Sequence, residues 1–394
     1  LDVSRFMPQD SIYEVSASLH AQGKGLDFFE SQTTFDVQGE LDKLHYGNYV
    51  LTGYDFSAGL HQHQLEAALV ADNNAMKIRA HLDGHLKTDD IAARLKMDIA
   101  KLDWQALNLM EQPFSTSHQL DFDFRTDLKK RYELEASMTN TSVKAPKRTF
   151  KTKDLHVGFG TWPDSTKAYM TAGDLDMKLQ AKGYVEDWIT QANVFMNTAS
   201  EQWTTKTINQ QVLKELLPDM ALNITSGKDN PICNLLNFKG MSYDRLSMNV
   251  TSSPEKGLNG ENTIYGMTTD SLTLDTIYLD MQHDTLGINY QMGVLSGPKK
   301  NQEAFDVEVD GFVRNGSAQL LVNYLNGKKE TGVHMGINAE LRRRGIRLRF
   351  FPEQPTLVYR PFNLNERNYI YLTDRGRIFA DVRMYDKEGT GIAF

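Results

Sequence analysis

Between residues 257 and 325 the chain places an apolar residue at almost every second position. Leu258, Gly260, Asn262 and Ile264 sit two apart; Leu272 and Leu274 follow, then Ile277, Leu279 and Met281. The habit continues with Leu286, Ile288, Tyr290, Met292 and Val294, with Phe305, Val307 and Val309, and with Leu320, Val322 and Tyr324. Residues two apart in a strand share a face, so each run has one apolar and one polar side. Turn formers separate the runs: Thr-Asp at 269–270, His-Asp at 283–284, Gly-Pro-Lys-Lys-Asn at 297–301 and Asn-Gly at 315–316. The pattern predicts short antiparallel strands following one another in sequence. It turns Asp275, Asp280, Asn289, Asp306 and Glu308 toward water, opposite Ile277, Leu279, Ile288, Tyr290, Val307 and Val309.

The same design fills the first half. After a loose start, Phe35 and Val37 open a run that turns at His-Tyr-Gly-Asn, 45–48. Runs through Tyr54–Leu60, Leu65–Leu69, Met76 and Ile78 onward, and Leu95, Met97 and Ile99 come next, with Phe122 and Phe124 beyond them. Asp103 can cap one helical turn. The basic segment 144–153 reads as an exposed loop. At Val185 the period changes: Val185, Trp188, Ile189, Ala192, Phe195, Met196, Ala199 and Trp203 are spaced by three and four, an amphipathic helix. A second helix starts near Thr207, carries Ile208, Val212, Leu213, Leu216 and Leu217, and stops at Pro218. This pair either plugs one end of the sheet or lies along its apolar face.

The expected fold is therefore mainly β: a first sheet segment over 1–183, one short helical insertion over 184–217, and a second segment over 218–394 continuing the same sheet. Roughly 20 to 24 strands at about 4.8 Å spacing would make a sheet on the order of 100 Å long. A flat open sheet of that size is not stable in water, so it must curl and have its apolar face covered.

Composition narrows the function. The net charge of −8 argues against general nucleic-acid binding. The single cysteine, Cys233, excludes a disulfide framework and a cysteine-based zinc site. No apolar run approaches the length of a membrane-spanning helix. The chain begins at Leu1 and is expected to be a piece of a longer protein. No phosphate-binding loop, dinucleotide fingerprint or G-x-S-x-G is present, and no catalytic residue, metal site or cofactor is expected. His61 and His63 on one strand face, near His81 and His85, are better read as solvent-facing than as metal ligands, since no carboxylate or cysteine confirms the spacing. Asp121 with Asp123 and Asp174 with Asp176 read as wet-face residues rather than a glycosidase pair. In the arginine-rich stretch 342–349, Arg347 and Arg349 oppose Ile346, Leu348 and Phe350. They read first as a solvated face that blocks edge pairing, and second as a contact for acidic lipid head groups or an acidic partner.

Four stretches carry a family resemblance. They are GELDKLHYGNYVLTGYDFSAGLHQHQLEAALVADNNAMKIRAHLDGHL with the strand after it, within 39–99; ELLPDMALNITSGKDNPICNLL at 215–236; SPEKGLNGENTIYGM with SLTLDTIYLDMQHD at 253–284; and PFNLNERNYIYLTDRGRIFADVRMYDKEGTG at 361–391. In these the chain resembles the C-terminal region of TamB-type translocation and assembly module subunits, Bacteroidetes-type members of the AsmA-like group. The resemblance implies a U-shaped, taco-like groove, polar outside and apolar inside. It also implies an inner-membrane anchor outside this chain, a periplasmic location and a partner barrel of the Omp85 type. The implied activity is conduction of phospholipids between inner and outer membranes in support of outer-membrane biogenesis.

On that reading acyl chains contact Phe35, Val37, Met76, Ile78, Leu95, Met97, Ile99, Phe122, Phe124, Ile277, Leu279, Ile288, Tyr290, Val307, Val309, Leu320 and Val322. The alternatives are a chaperone-like scaffold for assembling outer-membrane β-barrels, and a structural solenoid or adhesin whose inner face is a packed dry core.

Overall fold

The computed structural model describes residues 12–46, 49–269, 271–299 and 302–394. Parts of the expected turns at 45–48, 269–270 and 297–301 lie outside these residues. The protein is mainly β, 63% strand and 9% helix, and forms two compact units that meet in sequence between Gly173 and Asp174.

The first unit is an antiparallel meander. Its strands are β1 (Ile12–Lys24), β2 (Thr34–Tyr46), β3 (Tyr49–Leu51), β4 (Tyr54–His61), β5 (Gln64–Asp72), β6 (Met76–Lys87), β7 (Asp90–Asp103), β8 (Ser115–Thr126), β9 (Tyr132–Ala145), β10 (Arg148–Lys151), β11 (Leu155–Thr161) and β12 (Ser165–Ala172). Strand follows strand in register. The short β3 shares β2 with β4, and the short β10 shares β9 with β11. Strand β1, within the stretch expected to be loose, pairs along β2 from Ile12 to Lys24. The basic segment 144–153 is a hairpin, not a loop, because Arg148–Lys151 folds back on β9. The Asp103 turn forms as expected: its carboxylate accepts from Ala106 N at 3.1 Å, but the turn does not propagate into a helix.

The second unit opens with β13 (Leu175–Lys182), α1 (Val185–Thr205) and α2 (Gln210–Glu215). There follow β14 (Met220–Ser226), α3 (Pro231–Phe238), β15 (Arg245–Ser253), β16 (Gly257–Thr268), β17 (Thr273–His283), β18 (Gly287–Ser296), β19 (Phe305–Arg314), β20 (Ser317–Asn326), β21 (Thr331–Arg342) and β22 (Gly345–Leu357). Short strands end the chain: β23 (Arg360–Pro361), β24 (Asn363–Leu364), β25 (Tyr369–Thr373), β26 (Ile378–Asp381), β27 (Arg383–Tyr385) and β28 (Gly391–Ala393). The meander runs from β13 to β22 and continues through β25 to β26, while β24, β27 and β28 make a separate small sheet.

The expected helical pair is present, but it is not the only helix. Asn230 caps α3 by accepting from Cys233 N, and Pro231 takes the first helical position. Eight residues are too few to show a helical period, which is why alternation overlooked α3. The pair α1–α2 sits at one end of the strands rather than across their apolar face. Ser252 donates to Pro218 O at 2.8 Å, Gln210 N donates to Asn315 Oδ1 at 2.7 Å, and Lys206 lies 4.0 Å from Asp374. Each of these partners is at or beside a turn at that end of the meander. Helix α1 itself buries none of its residues.

Few apolar side chains are fully buried. Among the described residues a core cluster forms from Leu364, Val382 and Met384 of the small-sheet region, packed on Phe350, Leu357, Phe362 and Ile370. Asn368 fixes that cover in place: its amide donates to Phe350 O and accepts from Phe350 N.

Candidate functional site

Strand register decides which side chains share a face, because residues directly opposite each other point the same way. In the second unit one row crosses the sheet as Leu179, Leu222, Val250, Gly260, Met281, Tyr290, Gly311, Leu320, Ile337 and Phe350. A neighbouring row runs Met177, Ile224, Met248, Asn262, Leu279, Met292, Val309, Val322 and Met335. A third runs Leu246, Ile264, Ile277, Val294, Val307, Tyr324, Val333 and Leu357. Ile288 begins a fourth with Val313, Ala318, Ala339, Leu348 and Ile370. All eight candidate residues of this unit thus occupy one continuous apolar face.

The first unit repeats the arrangement. Val37, Ala58, Ala67, Leu82, Leu95, Phe122, Ala136, Val157 and Met170 form one row. Phe35, Leu60, Leu65, Gly84, Ala93, Phe124, Leu134 and Phe159 form the next. Met97 pairs with Ala80 and Leu120, and Ile99 with Ile78. A bulge between Lys77 and Ile78 absorbs one residue of β7, so Leu102 lies opposite Met76 although it is three residues from Ile99. The nine candidates of this unit also share one face.

Apart from buried Ile99, the candidate side chains are half-exposed, and Leu320 is 37% exposed. Among the described residues, the small-sheet region packs on the apolar rows at Phe350, Leu357 and Ile370.

The opposite face is polar. Asn249, Glu261, Asp280, Gln291 and Asp310 are successive cross-strand neighbours and line an open depression of about 750 Å³. In the first unit Glu66, Asp83, Arg94, Asp123 and Glu135 form a comparable charged row, with Arg94 Nε 2.6 Å from Asp123. Asp280, Asn289, Asp306 and Glu308 lie on the polar side of their strands. Asp275 does not: two residues from Ile277, it has the parity of the apolar side. Its carboxylate accepts from Gly297 N and pairs with Lys299, which together hold its pKa below the usual carboxylate range; the Lys299 hydrogen bond is the largest influence.

The histidines do not converge. Gln62 and His63 have φ of 51° and 70° and form the two-residue turn between β4 and β5, so His61 and His63 are not on one strand face. His61 pairs with Asp36 at 2.8 Å, His85 with Asp90 at 3.0 Å, and His63 contacts Leu86 O. No group of three or more metal-ligating side chains occurs among the described residues. Asp174 is likewise parted from Asp176, because it lies in the turn before β13 and accepts from Asn230 Nδ2 and Asp229 N. Arg347 and Arg349 do oppose Ile346 and Leu348. Arg347 lies over the Tyr369 ring at 5.2 Å, and Arg349 donates to Glu366 O at 3.0 Å.

Two histidines on the apolar face were not among the sequence candidates. His118 stands opposite Ile99, and His283 opposite Ile288. Burial pushes both imidazoles below their ordinary pKa of 6.5, and the charge of Lys214 adds to the effect at His283. Their positions in the alternation pattern were the available signal.

No family model matches the chain, and no curated protein or solved structure is significantly similar to it. No described helix is long and apolar enough to cross a membrane.

Proposed function

We propose that the apolar sheet faces of this chain bind phospholipid acyl chains, and that it is a segment of a TamB-like, AsmA-group envelope protein conducting phospholipids between inner and outer membranes. The observation that carries the reading is the set of unbroken apolar rows, half-exposed from Leu179 to Ile337 and from Val37 to Met170. Exposed apolar patches beyond a few hundred Å² mark interaction sites. Acyl chains suit these rows in particular, because they need no directed hydrogen bonds and can follow a track whose side chains vary in size. A dry solenoid core would instead bring large residues together across an interior, and the core cluster found among the described residues lies in the last strands.

The test is lipid retention by the purified chain. Native mass spectrometry and solvent extraction are expected to find co-purified phospholipid, and a pyrene-labelled phospholipid is expected to bind. Absence of both would overturn the reading. Binding of unfolded outer-membrane barrel strands without any lipid would favour the scaffold instead.

A further inference from the structure

The arginine-rich stretch that carried a head-group expectation at Arg347 and Arg349 points elsewhere once folded. Those two side chains lie along β22, one over Tyr369 and the other bonded to Glu366 O. Arg343 and Arg344 instead occupy the turn between β21 and β22. Strand β25 lies beside β22, with Thr373 opposite Gly345, so the turn between β25 and β26 stands next to them and brings Arg375 and Arg377. A backbone bond from Asp374 N to Arg344 O, 3.1 Å, ties the two turns together.

All four guanidiniums are exposed. None has an ion-pair or hydrogen-bond partner among the described residues; Arg342, by contrast, is paired with Glu340. The only carboxylate in either turn, Asp374, faces Lys206. A chain of net charge −8 therefore concentrates four unneutralised positive charges at one point.

Exposed apolar side chains lie beside these turns. Ile378 is 68% exposed and Phe379 51%. Trp203, at the end of α1, is 56% exposed, and its ring lies 5.1 Å from the same Lys206 ammonium that approaches Asp374. Arginines flanked by exposed Trp, Phe and Ile suit the boundary of an anionic bilayer, where the rings and aliphatic chains enter the head-group region while guanidiniums meet phosphate. An acidic protein would be satisfied by the arginines alone and gives no reason for the apolar rim.

We propose that these two turns form a docking tip for the surface of an anionic phospholipid bilayer. The tip requires no acyl chains on the sheet faces, so it stands or falls separately from the lipid-track reading.

The test is co-sedimentation with vesicles of phosphatidylcholine alone or mixed with phosphatidylglycerol. The whole chain is expected to bind the mixed vesicles, to ignore the neutral ones, and to release in high salt. Each basic residue near an anionic surface strengthens binding about five-fold. The combined variant Arg343→Glu, Arg344→Glu, Arg375→Glu and Arg377→Glu is therefore expected to lose more than about 100-fold in affinity. The matching Arg→Gln set, milder in charge, guards against misfolding and is expected to lose most of the binding with an unchanged circular dichroism spectrum. A control reversing Lys87, Lys96, Lys151 and Lys167 to Glu changes net charge equally on exposed strand positions of the first unit and is expected to bind as wild type. Equal loss in control and tip variants would overturn the proposal. So would retention on immobilised polyglutamate without binding to anionic vesicles.

Discussion

His118 stands in an apolar row with its Nδ1 buried and unpartnered among the described residues. Its folded-state pKa lies below the ordinary 6.5 because burial disfavours the imidazolium. The unfolded chain therefore takes up the proton first as pH falls. His118 contributes stability fully above its ordinary pKa, and that contribution is lost as pH drops through the folded value. A urea melt at about pH 7.5 is thus expected to show higher stability than one at about pH 5.5, and His118→Leu is expected to narrow the difference. An unchanged difference would show that the imidazole is solvated and that the row is not apolar at that point. Alternation could not reveal this state. It showed that position 118 shares parity with Leu120, but not that β9 bulges there, setting Asn140 and Thr141 against the single residue His118. Asp275 taught the converse: simple parity from Ile277 gives the side it occupies, and its charge obscured that parity.

At the scale of elements, the strands were legible because a two-residue period survives sequence noise, whereas short or capped elements were not. Helix α3 depended on Asn230 and Pro231, a local signal within eight residues. The small sheet of β24, β27 and β28 has strands of two or three residues, too short to alternate. A further device within the strands is the glycine facing an aromatic ring across the ladder: Gly39 with Phe56, Gly293 with Tyr278, Gly311 with Tyr290. Each glycine lets the opposite ring lie flat on the sheet. A Cβ on Gly311 would fall 2.1 Å from Gln319 O and 2.5 Å from the Tyr290 ring. It would also displace the Tyr290 hydroxyl from its 2.9 Å bond to Gln319 O. Gly311→Ala is therefore expected to cost about 1–3 kcal/mol in a denaturant melt. A variant as stable as wild type would mean that the ring is not held against the sheet.

For the whole molecule, the sequence supplied an antiparallel β chain with one apolar side, and it supplied the candidate rows almost residue by residue. It did not show where the rows are covered, because the cover at Phe350, Leu357 and Ile370 comes from short strands. Nor did it show the arginine tip, which needs the β22–β25 pairing to bring two distant turns together. The central claim is that the exposed apolar rows carry acyl chains, and Ile288 is the position at which to test it. It is half-buried between His283 and Val313, while its neighbour Asn289 points to the polar side. A carboxylate in a packed dry core would cost several kcal/mol and unfold the region. On an open face it can recruit water, leaving the fold intact but interrupting the row. The decisive measurement is phospholipid transfer between vesicles by Ile288→Asp and Asn289→Asp, with thermal melts of both. The expected result is that both variants stay folded and only Ile288→Asp loses transfer; an Ile288→Asp protein that unfolds, or that stays folded and transfers lipid normally, would contradict the account.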